Sequence, residues 1–413
     1  MRKIMIVGAG QAGLQLGISL LQRGYRVSIT SNRTPEDLRT GKVLSSQCMF
    51  HDSLQLERDR GLNFWEQDCP PVEGISFTVP HPELPGEKAM SWGHRLDHKA
   101  QSVDQRVKVP GWMAEFSRLG GELLMHEAGM DDLERWTQDH DLVIVAAGKG
   151  AIAQMFQRDA SRSPYDKPQR ALALTYVHGM APRPEFSAVN FNLIPGVGEY
   201  FVFPALTHSG PCEIMVFEGV PGGPMDCWRD IRTPQDHLAR SLDILRTFLP
   251  WEAERCAAVE LTDANGILAG SFAPTVRKPV MTLPSGRLVL GLGDAVVTND
   301  PITGQGSNNA TKACAVYLEA ILARGDQPFT AEWMRQTFER FWDYASAVVD
   351  WTNSMLLPPP PHLLRLLQAA GDAPALASAV ANGFNHPPNF FPWWTDATAC
   401  DAFIADKSTR AAA

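Results

Sequence analysis

The chain has 413 residues, which is enough for two large domains with buried cores. Hydrophobic residues make up 44% and charged residues 20% of the sequence, the balance of an ordinary globular protein. The formal net charge of -9 at pH 7 argues against broad binding to nucleic acid or to an anionic membrane surface.

Three further features bear on the location of the protein. No apolar run approaches the length of a membrane-spanning helix. The sequence starts directly on an expected strand, which leaves no room for a signal peptide. The seven cysteines are odd in number, scattered and without a CxxC pair, which favours free thiols in a reducing compartment over disulfides or a zinc site. We therefore expect a soluble cytoplasmic protein.

The stretch from Lys3 to Arg23 predicts a strand, a glycine turn and a helix. An apolar run, Ile4 to Val7, is followed by Gly8-Ala9-Gly10-Gln11-Ala12-Gly13 and then by apolar residues at helical spacing. This order is typical of dinucleotide binding, with one glycine for the tight turn, one for close approach of a pyrophosphate and one for helix packing. The helix N-terminus would offer free N–H groups to the phosphates. A glycine turn with a packing role alone is the competing interpretation.

The second strand is expected over Tyr25 to Thr30. An NAD-binding unit usually has an acidic residue at the end of this strand for the ribose hydroxyls. Here no carboxylate occurs before Glu36, so hydroxyl or amide groups would have to hold the ribose. This departure argues against a plain NAD dehydrogenase. The candidate nucleotide contacts on this side are Thr30, Ser31, Arg33 and Lys42.

The next part of the chain has mixed patterns. Alternation over residues 43–50 would place Ser45, Gln47 and Met49 on one face of an extended segment. Residues 74–92 predict short antiparallel strands with proline breaks at Pro80, Pro82 and Pro85. A helix is expected from about Val103 to Leu119, and Arg106 at its start is a candidate nucleotide contact, although an ordinary salt bridge explains it as well. The buried run over residues 141–149 predicts a strand that ends in small residues, among them Gly148, where something flat could lie on the backbone.

Residues 171–280 predict a second domain. Its β-rich stretches are separated by glycine and proline turns, and Pro234 to Phe248 has the spacing of an amphipathic helix. This pattern is typical of an antiparallel sheet that covers a pocket.

The chain then returns to the first domain. Residues 286–295 form an apolar strand that ends in Gly-Asp, so Asp294 could accept a hydrogen bond from a ribitol hydroxyl. The loop after it contains Pro301, Gly304, Gln305, Gly306 and Ser307 and precedes a helix expected from about Ala310 to Arg324. Backbone N–H groups of this loop and helix could bind an anionic ring system. The tail is helical over 331–357, and four prolines, 358–361, interrupt it.

Three spaced elements, the Gly8–Gly13 turn, the Gly293-Asp294 strand end and the Pro301–Gly306 loop, together resemble the FAD-binding framework of flavoprotein monooxygenases of the aromatic hydroxylase type. Within that superfamily, nearly the whole chain resembles the epoxidase component of two-component styrene and indole monooxygenases. Beyond those elements, the resemblance rests on Tyr165 to Leu172, Trp351 to Asn353 and Asn382 to Asn385.

The resemblance implies the fold and the domain boundaries. The fold class would be α/β: a Rossmann-like FAD-binding domain of the aromatic hydroxylase type, an antiparallel β-sheet substrate domain and a helical C-terminal segment. The FAD-binding domain would span residues 1–170 with 281–330, and its region 43–102 would contribute to the substrate cavity. The substrate domain would span 171–280 and the helical segment 331–413.

The resemblance also implies the reaction. Reduced FAD would bind, take up dioxygen and deliver one oxygen atom to an electron-rich carbon–carbon double bond, with the protein positioning and shielding the flavin. No side chain would act as a catalyst; the loop with Pro301, Gly304, Gln305 and Gly306 would lie near the flavin ring. Related single-component hydroxylases carry an Asp-Gly pair near residues 165–172, which is absent here. Its absence fits an enzyme that receives reduced FAD from an NADH-dependent flavin reductase. A homodimer is compatible with the resemblance.

The substrate preference depends on individual positions. By resemblance, Ser45, Gln47 and Met49 line the substrate cavity, and together with Ile75 and Ala100 they are similar to the indole branch rather than the styrene branch. Thr78 departs from that branch, which would favour Ile. Gln47 could hydrogen-bond an indole N–H or a flavin edge, or it could be an ordinary strand residue. Indole is therefore the favoured substrate and styrene an accepted one.

Other functions stay open from sequence alone. The main alternative is a self-contained NAD(P)H-dependent aromatic hydroxylase. A flavin-dependent halogenase is disfavoured because the Trp-x-Trp-x-Ile-Pro signature of that family is absent. A non-enzymatic FAD-binding protein is the remaining possibility.

Overall fold

The computed structural model describes residues 2–148 and 150–409. Lys149, at the end of the expected 141–149 strand, and residues 410–413 of the expected C-terminal segment lie outside that range. The strands in the described part of the chain are β1 (Lys3–Val7), β2 (Arg26–Ser31), β3 (Pro71–Pro80), β4 (Lys88–Gln101), β5 (Glu122–Met125), β6 (Leu142–Val145), β7 (Ala171–His178), β8 (Ala188–Ile194), β9 (Gly198–Thr207), β10 (Gly210–Gly219), β11 (Glu260–Leu261), β12 (Ile267–Gly270), β13 (Thr275–Val276), β14 (Val280–Thr282), β15 (Leu288–Gly291) and β16 (Val297–Thr298).

Helices connect and cover these strands. They are α1 (Gln11–Leu21), α2 (Pro35–Thr40), α3 (His51–Arg58), α4 (Gln105–Arg118), α5 (Met130–Asp139), α6 (Ala151–Gln154), α7 (Pro234–Phe248), α8 (Pro250–Arg255), α9 (Gly306–Arg324), α10 (Ala331–Met355), α11 (Pro361–Asp372), α12 (Pro374–Gly383) and α13 (Ala397–Thr409). Short 3₁₀ turns cover Gly293–Ala295, Pro301–Thr303 and Pro387–Phe390. Within the described residues, no helix is both long and apolar enough to span a bilayer.

The first sheet has six strands in the order β14-β15-β6-β1-β2-β5. All its pairs are parallel except β14 with β15. Val7 at the end of β1 pairs with Thr30 and Val145, so the carboxyl ends of three strands meet at one edge. Ligands of open parallel sheets bind at this edge. The arrangement confirms the expected Rossmann-like fold.

The second sheet is larger and mainly antiparallel. Its order is β11-β7-β10-β9-β8-β3-β4, and β12 also pairs with β7. β3 pairs with β8 in parallel, an exception among otherwise antiparallel pairs. The chain before residue 171 thus supplies two strands of this sheet. They are longer than the short strands expected for residues 74–92, because Pro82 and Pro85 fall in the turn between them rather than within a strand.

The two faces of the large sheet are covered by different helices. On one face Tyr200, Val202 and Phe217 form a core with helices α7 and α8. On the other face Phe201 and Phe203 belong to a core that includes the C-terminal helices α11 to α13. Side chains alternate between faces along a strand, so one stretch of β9 supplies both cores. The second face is the one that borders the site described next.

Candidate active site

The glycine turn after β1 packs so closely that two of its glycines have no room for a side chain. A Cβ atom on Gly8, whose φ is +116°, would lie 2.5 Å from the carbonyl oxygen of Ala146. A Cβ on Gly13 would lie 2.0 Å from the carbonyl oxygen of Gly8. A Cβ on Gly10 would meet nothing within 4 Å. The turn is therefore tight against the protein at Gly8 and Gly13 and open at Gly10, where a phosphate would need to approach.

The segment with Asp294 packs directly against this turn. Gly293 has a φ of +62°, and a Cβ there would lie 3.1 Å from the Cβ of Ala12. The N–H of Leu292 donates to the carbonyl oxygen of Val145 at 2.8 Å, which keeps this segment in line with the parallel strands. Asp294 is half-buried at the start of the following 3₁₀ turn. Two sequence motifs almost 300 residues apart thus meet.

The loop after Asp294 bends at Gly304 and leads straight into α9. The Asp300 carboxylate accepts from the N–H of Ile302 at 3.2 Å, and Gly304 has a left-handed φ of +66°. Helix α9 begins at Gly306, four residues earlier than expected, with no side chain capping its N-terminus. In its first turns, the buried amide of Asn309 has no hydrogen-bond partner at either its oxygen or its nitrogen. This end of α9 has unused hydrogen-bonding capacity for a polar ligand.

The buried side chain of Gln11 connects the glycine turn to three other elements. Its amide nitrogen lies 3.2 Å from the carbonyl oxygen of Ser307, 3.1 Å from the hydroxyl of Thr311 and 3.5 Å from the sulfur of Met49. Its oxygen accepts from the amide of Gln105 at 3.0 Å. These contacts place the glycine turn, the segment 42–50, α4 and α9 in one hydrogen-bonded unit.

The segment 43–50, which was expected to be extended, does not form a strand. The segment is irregular and pairs only at Met49, which exchanges two backbone hydrogen bonds with Gln101. The Asn308 side chain holds it instead, donating to the carbonyl oxygen of Cys48 at 2.8 Å and accepting from the N–H of Phe50 at 2.9 Å. Alternation in sequence resembled a strand because an extended loop has the same side-chain period.

An apolar cavity lies between this segment, the large sheet and the Pro301–Gly304 turn. Its walls enclose ≈ 330 Å³ of empty space, part of it open to solvent. Its wall is mostly aromatic and aliphatic, with hydroxyl groups at two positions, and it is formed by Ser46, Cys48, Phe50, Val189, Phe191, Phe201, Phe203, Pro301, Thr303, Gly304 and Phe384. Phe191 is its central ring, with centroids of Phe201 and Phe384 at 5.0 and 5.3 Å.

The expected substrate contacts are close to this cavity but do not form its wall. Ser46, Cys48 and Phe50 face it, whereas Ser45, Gln47 and Met49 do not. The Ser45 hydroxyl donates to the Gln47 amide oxygen at 2.9 Å, and the Tyr176 hydroxyl donates to the Ser45 carbonyl oxygen at 2.8 Å. Burial raises the pKa of Tyr176 well above its usual value, so this phenol stays neutral and donates. Ile75 and Ala100 are fully buried in the sheet and are also absent from the wall.

The remaining nucleotide candidates lie at or after the end of β2, after α2 and after β6 along the chain. Thr30 and Ser31 are buried, and the Ser31 hydroxyl donates to the carbonyl oxygen of Arg33 at 2.6 Å. Arg33 and Lys42 are exposed. Gly148, with a φ of +62°, follows β6 and is half-buried.

Arg106 is the candidate that the structure argues against. Its guanidinium is buried and donates to Asp104 at 2.9 Å, to Asp263 at 3.0 and 3.1 Å and to the Thr207 hydroxyl at 3.2 Å. A further contact reaches the carbonyl oxygen of Gly41 at 3.4 Å. With these acceptors around it, Arg106 is part of a buried ion-pair network. The salt-bridge interpretation therefore explains Arg106, and the expected FAD contact is wrong.

Comparison with known proteins agrees with this geometry. Residues 148–255 match the family model of the styrene monooxygenase A substrate-binding domain. The styrene monooxygenase StyA of Pseudomonas fluorescens is 30% identical over 395 residues, which cover 94% of this chain and 93% of that protein, and a second StyA from a Pseudomonas species matches equally. The chain belongs to the styrene monooxygenase family. It is a flavin-dependent monooxygenase, and its cofactor is FAD.

Solved structures share the fold at low sequence identity. The flavin-dependent brominase Bmp2 superposes with a TM-score of 0.63 at 14% identity, with 99% of each chain covered. A flavoprotein/dehydrogenase from Cytophaga hutchinsonii gives a TM-score of 0.66 at 12% identity, again with 99% of each chain covered. At such identities the likeness concerns the fold alone. The match to a brominase is therefore no evidence that this protein is a halogenase.

Two features of this styrene monooxygenase family member fit the binding of FAD, independently of the comparisons. The turn has open space beside Gly10, while the neighbouring glycines are packed shut. A buried and unpartnered amide, that of Asn309, lies in the first turns of α9. Buried polar atoms in folded proteins nearly always have a partner, so these atoms suit a polar ligand.

Sequence reasoning missed most of the cavity wall. The four sheet residues and Phe384 come from strands and a turn that are distant in sequence, and their hydrophobic pattern is that of any buried strand. Phe384 does lie in the Asn382–Asn385 stretch that carried part of the resemblance. Ser46 and Cys48 could have been found only by considering the opposite face of the segment.

Gly10→Ala should separate cofactor binding from folding. Gly10 has an ordinary φ of -82°, and a Cβ there touches no protein atom. The free energy of unfolding of the flavin-free variant should therefore stay within about 1 kcal/mol of the wild-type value. If the pyrophosphate lies against Gly10, the added methyl should weaken FAD binding by about tenfold or more. Fluorescence titration with FAD and urea unfolding measure the two effects.

Gly13→Ala is the matched variant for this test. Its Cβ would overlap the Gly8 carbonyl oxygen, so it should lose stability whether or not FAD is present. Wild-type FAD affinity in Gly10→Ala would show that the phosphates do not approach the turn at Gly10.

Arg106→Met should destabilise the flavin-free protein. The change leaves Asp104, which is fully buried, without its cation, and breaking a buried ion pair in this way costs roughly 3–5 kcal/mol. Arg39→Met is the control, because its pair with Glu36 is exposed and should be worth at most about 1 kcal/mol. Unaltered stability together with weakened FAD binding would restore the original assignment of Arg106 to the cofactor.

Proposed function

We propose that this protein is the epoxidase of a two-component system. It takes reduced FAD from a separate NADH-dependent flavin reductase and uses dioxygen to epoxidise an aromatic alkene, with indole favoured and styrene accepted. FAD, when bound and reduced, supplies the activation of dioxygen. Family membership supports the monooxygenase chemistry, and the name of the matched relatives supports an alkene such as styrene.

The observation that carries the proposal is the shared wall of the apolar cavity. Pro301, Thr303 and Gly304 belong to the loop that leads into α9, and the same residues close one side of the cavity. A substrate against the phenylalanine wall would therefore lie next to the loop that we assign to the flavin ring. The wall is also suited to excluding water, which such an oxygenation requires.

The parts of the chain have distinct tasks in this proposal. The first sheet and its helices (1–170 with 281–330) bind the nucleotide through the glycine turn, Thr30, Ser31, Gly148, Asp294 and the N-terminus of α9 with Ser307. The large sheet (171–280, with region 43–102) forms the substrate side. Within the proposed helical segment 331–413, the part from Trp351 to Cys400 packs on that side. It includes Thr352, whose hydroxyl lies 2.7 Å from that of Thr303. We also propose a reducing compartment such as the cytoplasm, and the seven free cysteines support it.

The preference for indole rests on Gln47. Its amide nitrogen is buried without a hydrogen-bond partner, while its oxygen accepts from Ser45. Because a serine hydroxyl can donate or accept, the Gln47 amide can turn over and present either group. As a donor it suits a carbonyl at the flavin edge, and as an acceptor it suits the N–H of indole, a group that styrene lacks. Because Gln47 is not part of the cavity wall, the contact with indole requires the segment 42–50 to move when the substrate binds.

Product formation with each electron source tests the proposed function. We expect the purified protein to oxidise indole and styrene when an NADH-dependent reductase or chemically reduced FAD is supplied, and not with NADH and FAD alone. The measurement is chromatography of products with isotope-labelled dioxygen. Fast flavin reduction by NADH without a reductase would identify a self-contained hydroxylase instead, and no product from either substrate would refute the epoxidase proposal.

Gln47→Leu should lower kcat/KM for indole by about tenfold relative to styrene. The variant keeps the side-chain volume but removes a hydrogen bond worth about 1 kcal/mol or somewhat more in a buried site. Gln55→Leu, at an exposed glutamine nearby, is the control and should change neither substrate. Equal losses for indole and styrene would mean that Gln47 contacts the flavin or only supports the segment.

A further inference from the structure

The stretch Asn382 to Asn385 carried part of the family resemblance, yet it has no task of its own in the proposed function. It forms the end of α12 and the turn after it, and we call Asn382 to His386 the 382–386 turn. Among the described residues that line the apolar cavity, Phe384 is the one that comes from the C-terminal helical segment. The rest of the wall comes from the large sheet and from two loops. One part of the wall therefore depends on how this turn is held.

The Phe384 ring is held by its aromatic neighbours. Its centroid lies 5.3 Å from that of Phe191 in the sheet wall and 4.9 Å from that of Trp351, whose plane is nearly perpendicular at 89°. Both distances are in the range of favourable aromatic contacts. A Cβ on Gly383 would lie 2.4 Å from the ring of Phe390, so the backbone beside Phe384 is also packed tightly. The ring therefore has little freedom to leave the wall.

Hydrogen bonds to two other elements anchor the 382–386 turn. The Asn385 side chain forms two of them with Asp52 at the start of α3, accepting from its N–H and donating to its carboxylate, both at 2.9 Å. The Lys312 ammonium on α9 donates to the carbonyl oxygen of Asn385 at 3.3 Å. The backbone of the turn is thereby attached to helices on the cavity side of the molecule.

Gln305 connects this turn to the loop that we assign to the flavin ring. Its side chain is fully buried, and its amide nitrogen donates to the carbonyl oxygen of Phe384 at 2.9 Å. A longer contact of 3.5 Å reaches the carbonyl oxygen of Thr303. The amide oxygen has no hydrogen-bond partner among the described residues. The bond to Phe384 is therefore the main polar contact of this side chain, and its loss would leave a buried amide unpaired.

We propose that Phe384 limits the size of the substrates that the cavity accepts, and that Gln305 is the positioning residue that holds Phe384 beside the flavin loop. The ring closes the cavity on the side of the C-terminal segment, so a shorter side chain there would lengthen the space for a ligand. The assignment of the cavity to the substrate rests on the proposed function, whereas the contacts of Phe384 and Gln305 do not.

Phe384→Ala tests the size limit by binding alone. Naphthalene is close to indole in size, biphenyl is longer, and neither carries an alkene side chain. With saturating oxidised FAD, the ratio of association constants, biphenyl over naphthalene, should rise by about tenfold or more over wild type, because the longer ligand fills the space that the ring leaves. Equilibrium dialysis with chromatography of the free ligand measures both constants.

Phe384→Leu removes less volume and keeps the test informative if the alanine variant does not fold. It should shift the same ratio in the same direction by a smaller factor. An unchanged ratio in the folded variants would overturn the size limit, and so would a wild-type protein that binds no naphthalene.

Phe77→Leu is the matched control in the same aromatic core. Phe77 is buried and its ring stacks on that of Phe191 at a centroid distance of 5.2 Å, but it is not part of the cavity wall. The ratio for this variant should stay within about twofold of wild type. A shift equal to that of Phe384→Leu would show a general loosening of the core and overturn the assignment to Phe384.

Gln305→Met tests the positioning. Methionine has a similar length but cannot donate to the Phe384 carbonyl oxygen, so the ratio should rise by about threefold. In the Phe384→Ala background the same change should have no further effect, because there is no ring to position. Equal factors in both backgrounds, or no effect in either, would show a merely structural residue and overturn the positioning role.

These readouts do not depend on product formation. A protein that shows the expected ratios but oxidises neither indole nor styrene would refute the epoxidase proposal and leave the size limit intact. A protein that epoxidises styrene without any change of ratio in the variants would keep the proposed function and overturn the role of Phe384.

Discussion

The architecture of the site depends on the close contact between backbone segments at the carboxyl edge of the parallel sheet. Gly8 lies against Ala146, Gly13 lies against Gly8, and Gly293 lies against Ala12. The first two contacts are possible only because Gly8 and Gly13 lack a side chain, and at Gly293 the positive φ of +62° favours glycine. These contacts bring the start of α1, the end of β6 and the Asp294 segment to one place. A nucleotide can then meet backbone donors from three parts of the chain at once.

The large sheet shapes the other half of the site through the alternation of its side chains. Along β9, every second residue faces α7 and α8, and the residues between them face the cavity. The same alternation puts Glu199 on the cavity face next to Phe201, and Glu218 opposite it. The apolar cavity wall and the two glutamates, Glu199 and Glu218, are therefore neighbours on one face of the large sheet. The first suits an apolar substrate, and Glu199 in the second is paired with Arg170.

Sequence alone located much of this arrangement. The glycine turn, the Gly-Asp strand end and the loop before α9 each had a local signature, because tight turns and helix starts restrict residue type locally. Family resemblance then placed all three in one FAD-binding framework. The segment 43–50 was expected to be extended, and the sequence could not show whether it pairs in a sheet, since an extended loop and a strand share a period of two. The sequence also did not show which face of this segment borders the cavity. That orientation depends on the side chain of Asn308, which is 260 residues away in sequence from Cys48.

What the sequence determined by itself is the fold class, the FAD framework and the family, since these depend on local glycine geometry and on motif spacing. What only the tertiary structure decided is which side chains meet. Arg106 could have paired with a phosphate or with a carboxylate, and the position of Asp263, 157 residues later, settled the matter. The ion pair of Arg170 with Glu199 likewise has no local signature, because burial and charge balance are properties of the assembled chain.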